Sequence, residues 1–195
     1  MSEAVKVYVV DNGGQWTHRI WRVVRELDCV TKIIPNTTPV SEIDADTLIL
    51  SGGAPRVVWE SPKLGNCTDY FDHFKGPILG ECVGMQLMVI HFGGKAGPAE
   101  IPEYGLAKMQ VIDEDELFRG LPKEFLVWES HNDEVKETPN FKVLALSENC
   151  KIQAIKHTSK PFYGVQFHPE VNNTEHGEEI LRNFVNVVKR KRETD

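Results

Sequence analysis

Cysteine is scarce in this sequence of 195 residues, and its four copies lie far apart. They are Cys29, Cys67, Cys82 and Cys150. No two of them form a Cys-x-x-Cys pair, and neither they nor the histidines and acidic residues show metal-ligand spacing. The sequence therefore predicts reduced thiols, as in cytoplasmic proteins, and it predicts neither a disulfide framework nor a metal site.

Long apolar runs and an excess of positive charge are also lacking. A membrane span needs about 20 apolar residues in a row, and the longest apolar stretches are far shorter. The start of the chain lacks the pattern of a secretory signal, which again predicts a cytoplasmic location. The formal net charge of −7 argues against a nucleic-acid-binding surface. The length predicts a single domain over residues 1–195.

Hydrophobic patterns in the first half of the chain alternate between strands and helices. Short runs rich in Val, Ile and Leu predict buried strands at 5–10, 30–34, 47–50 and 78–79. Apolar residues recur with helical spacing after the first strand, at Ile20, Val23, Val24 and Leu27. A second helical stretch follows the fourth strand, from Met85 to Phe92. This alternation predicts parallel βαβ units in an open α/β sheet that is flanked by helices.

The middle of the chain has a different pattern. Four extended runs, at 106–112, 125–128, 142–146 and 152–155, predict antiparallel or mixed strands that extend the same sheet. A further strand is predicted at 162–167, and a final helix from near Thr174. The apolar stripe of that helix is Ile180, Leu181, Phe184, Val187 and Val188.

The segment from Pro77 to Gln86 has the pattern of a nucleophile elbow. An apolar strand leads into Gly80-x-Cys82-x-Gly84, and a helical pattern follows. Small residues are needed two positions either side of the nucleophile, because the turn from strand to helix is sharp. The free N–H groups at the start of a helix favour a thiolate and can hold an oxyanion. A buried structural cysteine in a glycine turn would have the same local pattern.

A thiolate nucleophile needs a histidine to carry protons and a partner that fixes the tautomer of that histidine. Of the seven histidines, His168 is placed best, because it follows a predicted strand at the edge where open α/β sheets keep their sites. Glu170 lies two residues further along. The sequence therefore predicts a triad of Cys82, His168 and Glu170.

Three motifs together resemble the class I glutamine amidotransferase family: Gly80-Glu-Cys-Val-Gly-Met-Gln86, Phe167-His-Pro-Glu-Val171 and Ser51-Gly-Gly-Ala-Pro55. The resemblance implies a flavodoxin-like sheet and attack of Cys82 on the side-chain amide of glutamine. It also implies that the glycine turn at Gly52 and Gly53 lies on the substrate side. Backbone N–H groups of Gly53 and Val83 would form the oxyanion hole. The residues that would hold glutamine are Gln86, Ser130, His131 and Asn132.

Within this family, several segments resemble the separate glutaminase subunit of two-subunit GMP synthase. They are Asp11-Asn-Gly-Gly-Gln15, Ile34-Pro-Asn-Thr-Thr-Pro39 and Trp128-Glu-Ser-His-Asn-Asp-Glu-Val135. This resemblance implies that ammonia passes to a partner ATP-pyrophosphatase subunit, which aminates xanthosine 5′-monophosphate to GMP. ATP and magnesium would belong to that partner, and this chain carries no cofactor and no phosphate loop of its own.

Three alternatives stay open at this point. Glutaminase subunits of anthranilate synthase share the chemistry, but they usually carry His and Ser where this chain has Met85 and Val171. A catalytically silent regulatory subunit would keep the fold, although the intact triad argues against it. An independent hydrolase of γ-glutamyl substrates would be active without a partner.

Two residues depart from the family pattern, and Val83, which replaces a larger residue after the cysteine, would still act through its backbone. Glu81 precedes the nucleophile at a position where the family mostly has an apolar residue. A carboxylate beside Cys82 would raise the pKa of the thiol. Because adjacent side chains on a strand face opposite sides, we predict that Glu81 points away from the site.

Overall fold

The runs of Val, Ile and Leu form strands in the computed structural model, which describes residues 4–194. The strands in this range are β1 (Lys6–Asp11), β2 (Val30–Pro35), β3 (Thr47–Leu50), β4 (Ile78–Glu81), β5 (Lys95–Val111), β6 (Glu124–Glu137), β7 (Phe141–Ser147), β8 (Ala154–His157) and β9 (Phe162–Val165). The α-helices are α1 (Thr17–Glu26), α2 (Val57–Glu60), α3 (Cys67–His73), α4 (Val83–His91) and α5 (Gly177–Thr194). Short 3₁₀ turns lie at Val40–Glu42 and Ser61–Leu64.

The strands form one sheet in the order β2-β1-β3-β4-β9-β8-β7-β5-β6. Neighbouring strands from β2 to β9 run parallel. Neighbouring strands from β9 to β6 run antiparallel. The predicted α/β fold, with an open parallel section and an added antiparallel section, is confirmed.

Apolar side chains of the central strands alternate between two cores, one on each face of the sheet. Val7 and Val9 of β1 pack in one core with residues of α1 and α5. Tyr8 and Val10 pack in the other core with residues of α3 and α4. Helices on both faces are what a parallel section needs, because its strands are apolar on both sides. Within residues 4–194, no helix is long and apolar enough to cross a membrane.

Element boundaries differ from the predicted ones mainly in the antiparallel section. The strands β5 and β6 are far longer than the predicted runs at 106–112 and 125–128. Their added parts are rich in charged residues and include Pro98 and Pro102, so an apolar pattern cannot reveal them. Pairing between the two strands, with register shifts between Lys95 and Ala96 and between Pro98 and Glu103, holds them together instead. The last helix begins at Gly177 and not near Thr174.

The turn after β4 generates a stability prediction. A Cβ atom at Gly80 would meet the backbone C of Gly84 and the backbone N of Met85, both at 2.7 Å. We expect Gly80→Ala to lower the free energy of unfolding by about 1–3 kcal/mol, because backbone atoms must shift. Urea denaturation measures this difference.

Gly97 offers the matched control for this substitution. A Cβ atom there would meet only Val58 Cγ2, at 3.7 Å, which is ordinary contact. We expect Gly97→Ala to change stability by less than about 0.5 kcal/mol. Equal effects of the two substitutions would contradict the role given to Gly80.

Candidate active site

Cys82 occupies the sharp turn between β4 and α4. Its backbone has φ 49° and ψ −111°, in a region that costs a residue other than glycine about 1–3 kcal/mol. The Cys82 N–H donates to the Val165 carbonyl at 2.8 Å, which extends the pairing of β4 with β9. The Gln86 N–H donates to the Cys82 carbonyl at 3.0 Å and so begins α4. These bonds hold Cys82 at the helix N-terminus, as the sequence predicts.

Two glycine-containing turns, at 11–14 and 51–53, pack together backbone to backbone beside Cys82. A Cβ atom at Gly14 would meet the Gly52 carbonyl oxygen at 2.4 Å, and one at Gly53 would meet the Asn12 oxygen at 2.3 Å. The Asn12 side chain donates to the Ser51 carbonyl at 3.0 Å and fixes the two turns together. Glycine is therefore required at both contacts, because any side chain would separate the turns.

His168 links the nucleophile to Glu170. Its Nδ1 lies 2.9 Å from Glu170 Oε1, and both side chains are buried. The ring and Cys82 both lie against Gly52, where an added Cβ atom would meet His168 Cε1 at 2.9 Å and Cys82 Cβ at 3.4 Å. Burial opposes a charge on the ring, but the Glu170 carboxylate and the nearby Cys82 thiol raise the pKa of His168 well above its usual range. The hydrogen-bonded pair of His168 and Glu170 thus lies beside Cys82, and glycine at position 52 leaves room for the ring.

Helix α1 and the residue before it supply two contacts to this chain that sequence reasoning missed. The Trp16 indole meets the His168 ring edge-on, with 4.5 Å between the ring centroids. Arg19 Nε donates to the Glu170 carbonyl at 2.8 Å. A single sequence gives no signal for either contact, because the fold alone brings these distant segments together. They limit the movement of both the imidazole and the backbone that carries Glu170.

A cleft of about 400 Å³ opens above the nucleophile. All the predicted site residues line it: Gly52, Gly53, Cys82, Val83, Gln86, Ser130, His131, Asn132, His168 and Glu170. Its volume lies in the range of small-molecule sites in proteins. The structure therefore brings together in one cavity every residue that the sequence assigned to the site.

Gln86 lies in the wall of this cleft and ties two strands together. Its amide nitrogen donates to the Asp133 carbonyl at 2.7 Å and to Gln166 Oε1 at 3.1 Å. Both amide hydrogens are thereby used within the protein, so Gln86 can meet a ligand only through its oxygen. The Asp133 carboxylate in turn accepts a hydrogen bond from Arg56 Nε at 2.7 Å. These bonds fix the part of β6 that faces the cleft.

His131 lines the cleft, but its ring is paired in a way that the prediction of a substrate contact did not include. Its Nε2 lies 3.2 Å from Glu103 Oε2 and 3.3 Å from Glu129 Oε2, and all three side chains are buried. Side chains alternate along a strand, so Ser130 and Asn132 face the other side of β6 from the His131 ring. Burial opposes the charge of the ring, but the hydrogen bond to Glu103 and the nearby Glu129 carboxylate raise the pKa of His131 to about 10.

Glu81 also differs from its prediction. Its side chain is fully buried, and a carboxylate oxygen lies within 4.8 Å of the ligand atoms of His168 and Glu170. The Glu81 carboxyl group therefore lies within the site, beside the His168–Glu170 pair that supports Cys82.

Two groups of buried side chains bring possible metal-ligand atoms within 4.8 Å of one another. They are Glu103, His131 and Cys150 in one group, and Glu81, His168 and Glu170 in the other. In each group the histidine is already paired with a carboxylate, at 3.2 and 2.9 Å respectively. These pairings account for both groups without an ion, so we assign neither to a metal. The sequence-based prediction of no metal site stays a prediction.

Comparison with known proteins places this geometry in a family. Residues 8–188 match the family model described as glutamine amidotransferase class-I. A glutamine-hydrolyzing GMP synthase subunit of Thermococcus kodakarensis is 53% identical over 185 residues, which cover 91% of this chain and 96% of that protein. The protein of the same name from Methanocaldococcus jannaschii is 47% identical over 186 residues, or 93% of this chain and 96% of that protein.

Solved structures agree with these sequence relatives. The crystal structure of a proposed GMP synthase subunit from Thermoplasma acidophilum superposes with a TM-score of 0.95 at 47% identity, covering 100% of this chain and 98% of that one. A glutamine amidotransferase from Thermotoga maritima superposes with a TM-score of 0.75 at 18% identity, covering 99% of this chain and 86% of that one. The second likeness supports the fold alone.

The buried His131 cluster generates a prediction about pH. We expect the His131 imidazole to titrate near pH 10, because Glu103 and Glu129 hold its charge. His157 is the control, since burial and the Lys160 charge lower its pKa. NMR titration of the imidazole resonances measures both. Titration of His131 at or below pH 6.5 would contradict the pairing seen here.

The sign of the stability effect follows from the raised pKa. The protonated His131 ring stabilises the folded protein fully below about pH 6.5, the pKa of this histidine in the unfolded chain. This stabilisation is lost as the pH rises through about 10, the pKa in the folded protein.

Proposed function

Because the chain belongs to the class I glutamine amidotransferase family, we propose that it hydrolyses glutamine to glutamate and ammonia through a thioester on Cys82. One observation carries the proposal: Cys82 and the hydrogen-bonded pair of His168 and Glu170 line the same cleft. Nucleophile, base and orienting carboxylate in this order are what acyl transfer needs.

In the first half of the reaction, His168 takes the proton of the Cys82 thiol, and the thiolate attacks the side-chain amide carbon of glutamine. Glu170 accepts a hydrogen bond from Nδ1 of His168, so Nε2 is the nitrogen that faces the thiol. The imidazolium then gives its proton to the departing ammonia. A thioester of the glutamyl group with Cys82 is left, and water cleaves it with His168 as the base.

The oxyanion formed during attack would be held by the backbone N–H groups of Gly53 and Val83. Val83 is the first residue of α4, and N–H groups in the first turn of a helix have no partner within the helix. Gly53 is fixed by its close contact with Asn12. Rigid donors of this kind need no rearrangement as charge develops, which supports their assignment.

The α-amino and α-carboxylate groups of glutamine would lie against the part of the cleft formed by β6. Ser130 and Asn132 would face the ligand, and His131 would act through its backbone, because its ring is paired elsewhere. Gln86 would accept a hydrogen bond through its side-chain oxygen. Fixed contacts of this kind orient the amide carbon toward Cys82.

We further propose that the ammonia serves the synthesis of GMP. The relatives at 47 to 53% identity carry the name of one subunit of a glutamine-hydrolysing GMP synthase, which implies a second subunit in those enzymes. The partner of this chain would be an ATP-pyrophosphatase subunit that aminates xanthosine monophosphate with ATP and magnesium. The chain would act as one domain, in the cytoplasm.

Glutamate release from glutamine tests this proposal. We expect slow release by the purified chain and a large rise with the ATP-pyrophosphatase subunit, xanthosine monophosphate and Mg-ATP. Cys82→Ala removes the nucleophile and should lower the rate by roughly 10³-fold or more. Cys29→Ala, the matched loss of a buried thiol outside the cleft, should keep the activity.

Other outcomes would change the proposal. High activity of the chain alone would indicate an independent hydrolase. A rise only with the synthetase of another pathway would indicate another amidotransferase, such as anthranilate synthase. Activity that survives Cys82→Ala would contradict the thioester itself.

A further inference from the structure

The carboxyl group of Glu81 occupies a buried position behind the triad. Glu81 is the last residue of β4 and has no exposed surface. Neither of its carboxyl oxygens, nor Oε2 of Glu170, receives a hydrogen bond from a donor group of the described residues. Burying three acceptor atoms at one place costs free energy of folding, because each loses its hydrogen bonds to water and gains none from the protein. An oxygen of each carboxyl group lies within 4.8 Å of one on the other, so a shared proton would satisfy both groups.

The electrostatics of this position allow only one negative charge on the two carboxyl groups. The ionisable groups that act on Glu81 are Glu170, His168 and Cys82. Glu129 also interacts electrostatically with His168 and lies 3.3 Å from His131 Nε2. Two carboxylates this close and without water cannot both ionise, so the pair holds one proton between them. Glu170 lies 2.9 Å from His168 Nδ1, and a hydrogen bond from the imidazole favours the charged form on Glu170. The proton therefore belongs on Glu81.

We propose that Glu81 is held in its protonated form and donates a hydrogen bond to Oε2 of Glu170, as a positioning residue for the His168–Glu170 pair. The inference deepens the proposed function, on which its catalytic meaning rests. It adds a fourth member to the triad: Glu81 would donate to Glu170, which accepts a hydrogen bond from His168, the proposed base for Cys82.

Two consequences follow for the triad. The bond fixes the rotation of the Glu170 carboxylate, so that Oε1 stays directed at His168 Nδ1. It also draws negative charge toward Oε2, so Glu170 holds the imidazolium proton less strongly than a lone carboxylate would. Burial and the neighbouring charge of Glu170 raise the pKa of Glu81 well above its usual range, which agrees with a neutral acid at pH 7.

Two substitutions of similar size separate the donor from the bulk of the side chain. Glu81→Gln keeps an N–H donor and cannot ionise, whereas Glu81→Leu fills the space without a donor. The readout is the pKa of His168 by NMR titration in the resting protein, which requires no glutamine. Thermal unfolding of each variant checks that it is folded.

We expect Glu81→Gln to keep the pKa of His168 close to that of the parent. Glu81→Leu should raise it by about 1 unit, because a charge-assisted hydrogen bond to Glu170 is lost.

In the glutaminase assay, Glu81→Leu should lower kcat by about 10-fold with little change in KM. The Glu81→Gln variant should keep most of the kcat that Glu81→Leu loses. The infrared spectrum of the parent minus that of Glu81→Gln, both at neutral pH, should contain the band of a protonated carboxylic acid. This band should be present in the parent and missing in Glu81→Gln.

Three results would each overturn the proposal. An ionised Glu81 would be indicated if the acid band were missing in the parent, or if Glu81→Gln lowered the pKa of His168 by about a unit. A pKa of His168 that is the same in Glu81→Leu and in the parent would show that no donor role exists. The infrared comparison decides the question even if Glu81→Leu does not fold. Because these readouts need no substrate, failure of glutamine hydrolysis is distinguishable from failure of the Glu81 assignment.

Discussion

The left-handed backbone of Cys82 is the constraint around which this structure is arranged. This backbone conformation requires the residues before and after Cys82 to pack closely against their neighbours. The contacts of Gly80 and Gly84 provide this packing. A Cβ atom at Gly84 would meet the Leu50 carbonyl oxygen of the neighbouring strand β3 at 2.8 Å. The start of α4 therefore rests directly on the sheet, and the thiol is held above the sheet edge at the positive end of the helix.

The parallel section of the sheet determines what surrounds this thiol. Strands β1, β3, β4 and β9 all end at the same edge, so the turns that follow them meet there. The first two turns form the paired glycine contacts, the third carries Cys82, and the fourth carries His168 and Glu170. The antiparallel section then closes one side of the cleft with β6. Each part of the proposed chemistry thus depends on sheet order and not on neighbouring positions in the sequence.

Sequence reasoning was sufficient to place Cys82, His168 and Glu170 in one cleft and to find the parallel strands, because both have local signals. The Gly-x-Cys-x-Gly spacing reports a tight turn, and short apolar runs report buried strands. The direction of the Glu81 carboxyl and the pairing of His131 with Glu103 were out of reach, since both depend on which strands become neighbours. The contact of Trp16 with His168 is of the same kind. The polar parts of β5 and β6 were missed because strand pairing, and not an apolar face, stabilises them.

The central claim is that Cys82 is the nucleophile of a glutamine site. A glutamine analogue that carries a diazoketone in place of the side-chain amide tests it most directly, because a nucleophile in the cleft would be alkylated irreversibly. Peptide mass spectrometry then identifies the modified residue. The account predicts a single covalent addition, on Cys82, that excess glutamine prevents and that is lost in Cys82→Ala. Labelling of Cys29, Cys67 or Cys150 instead, or labelling of Cys82 that glutamine does not slow, would contradict it.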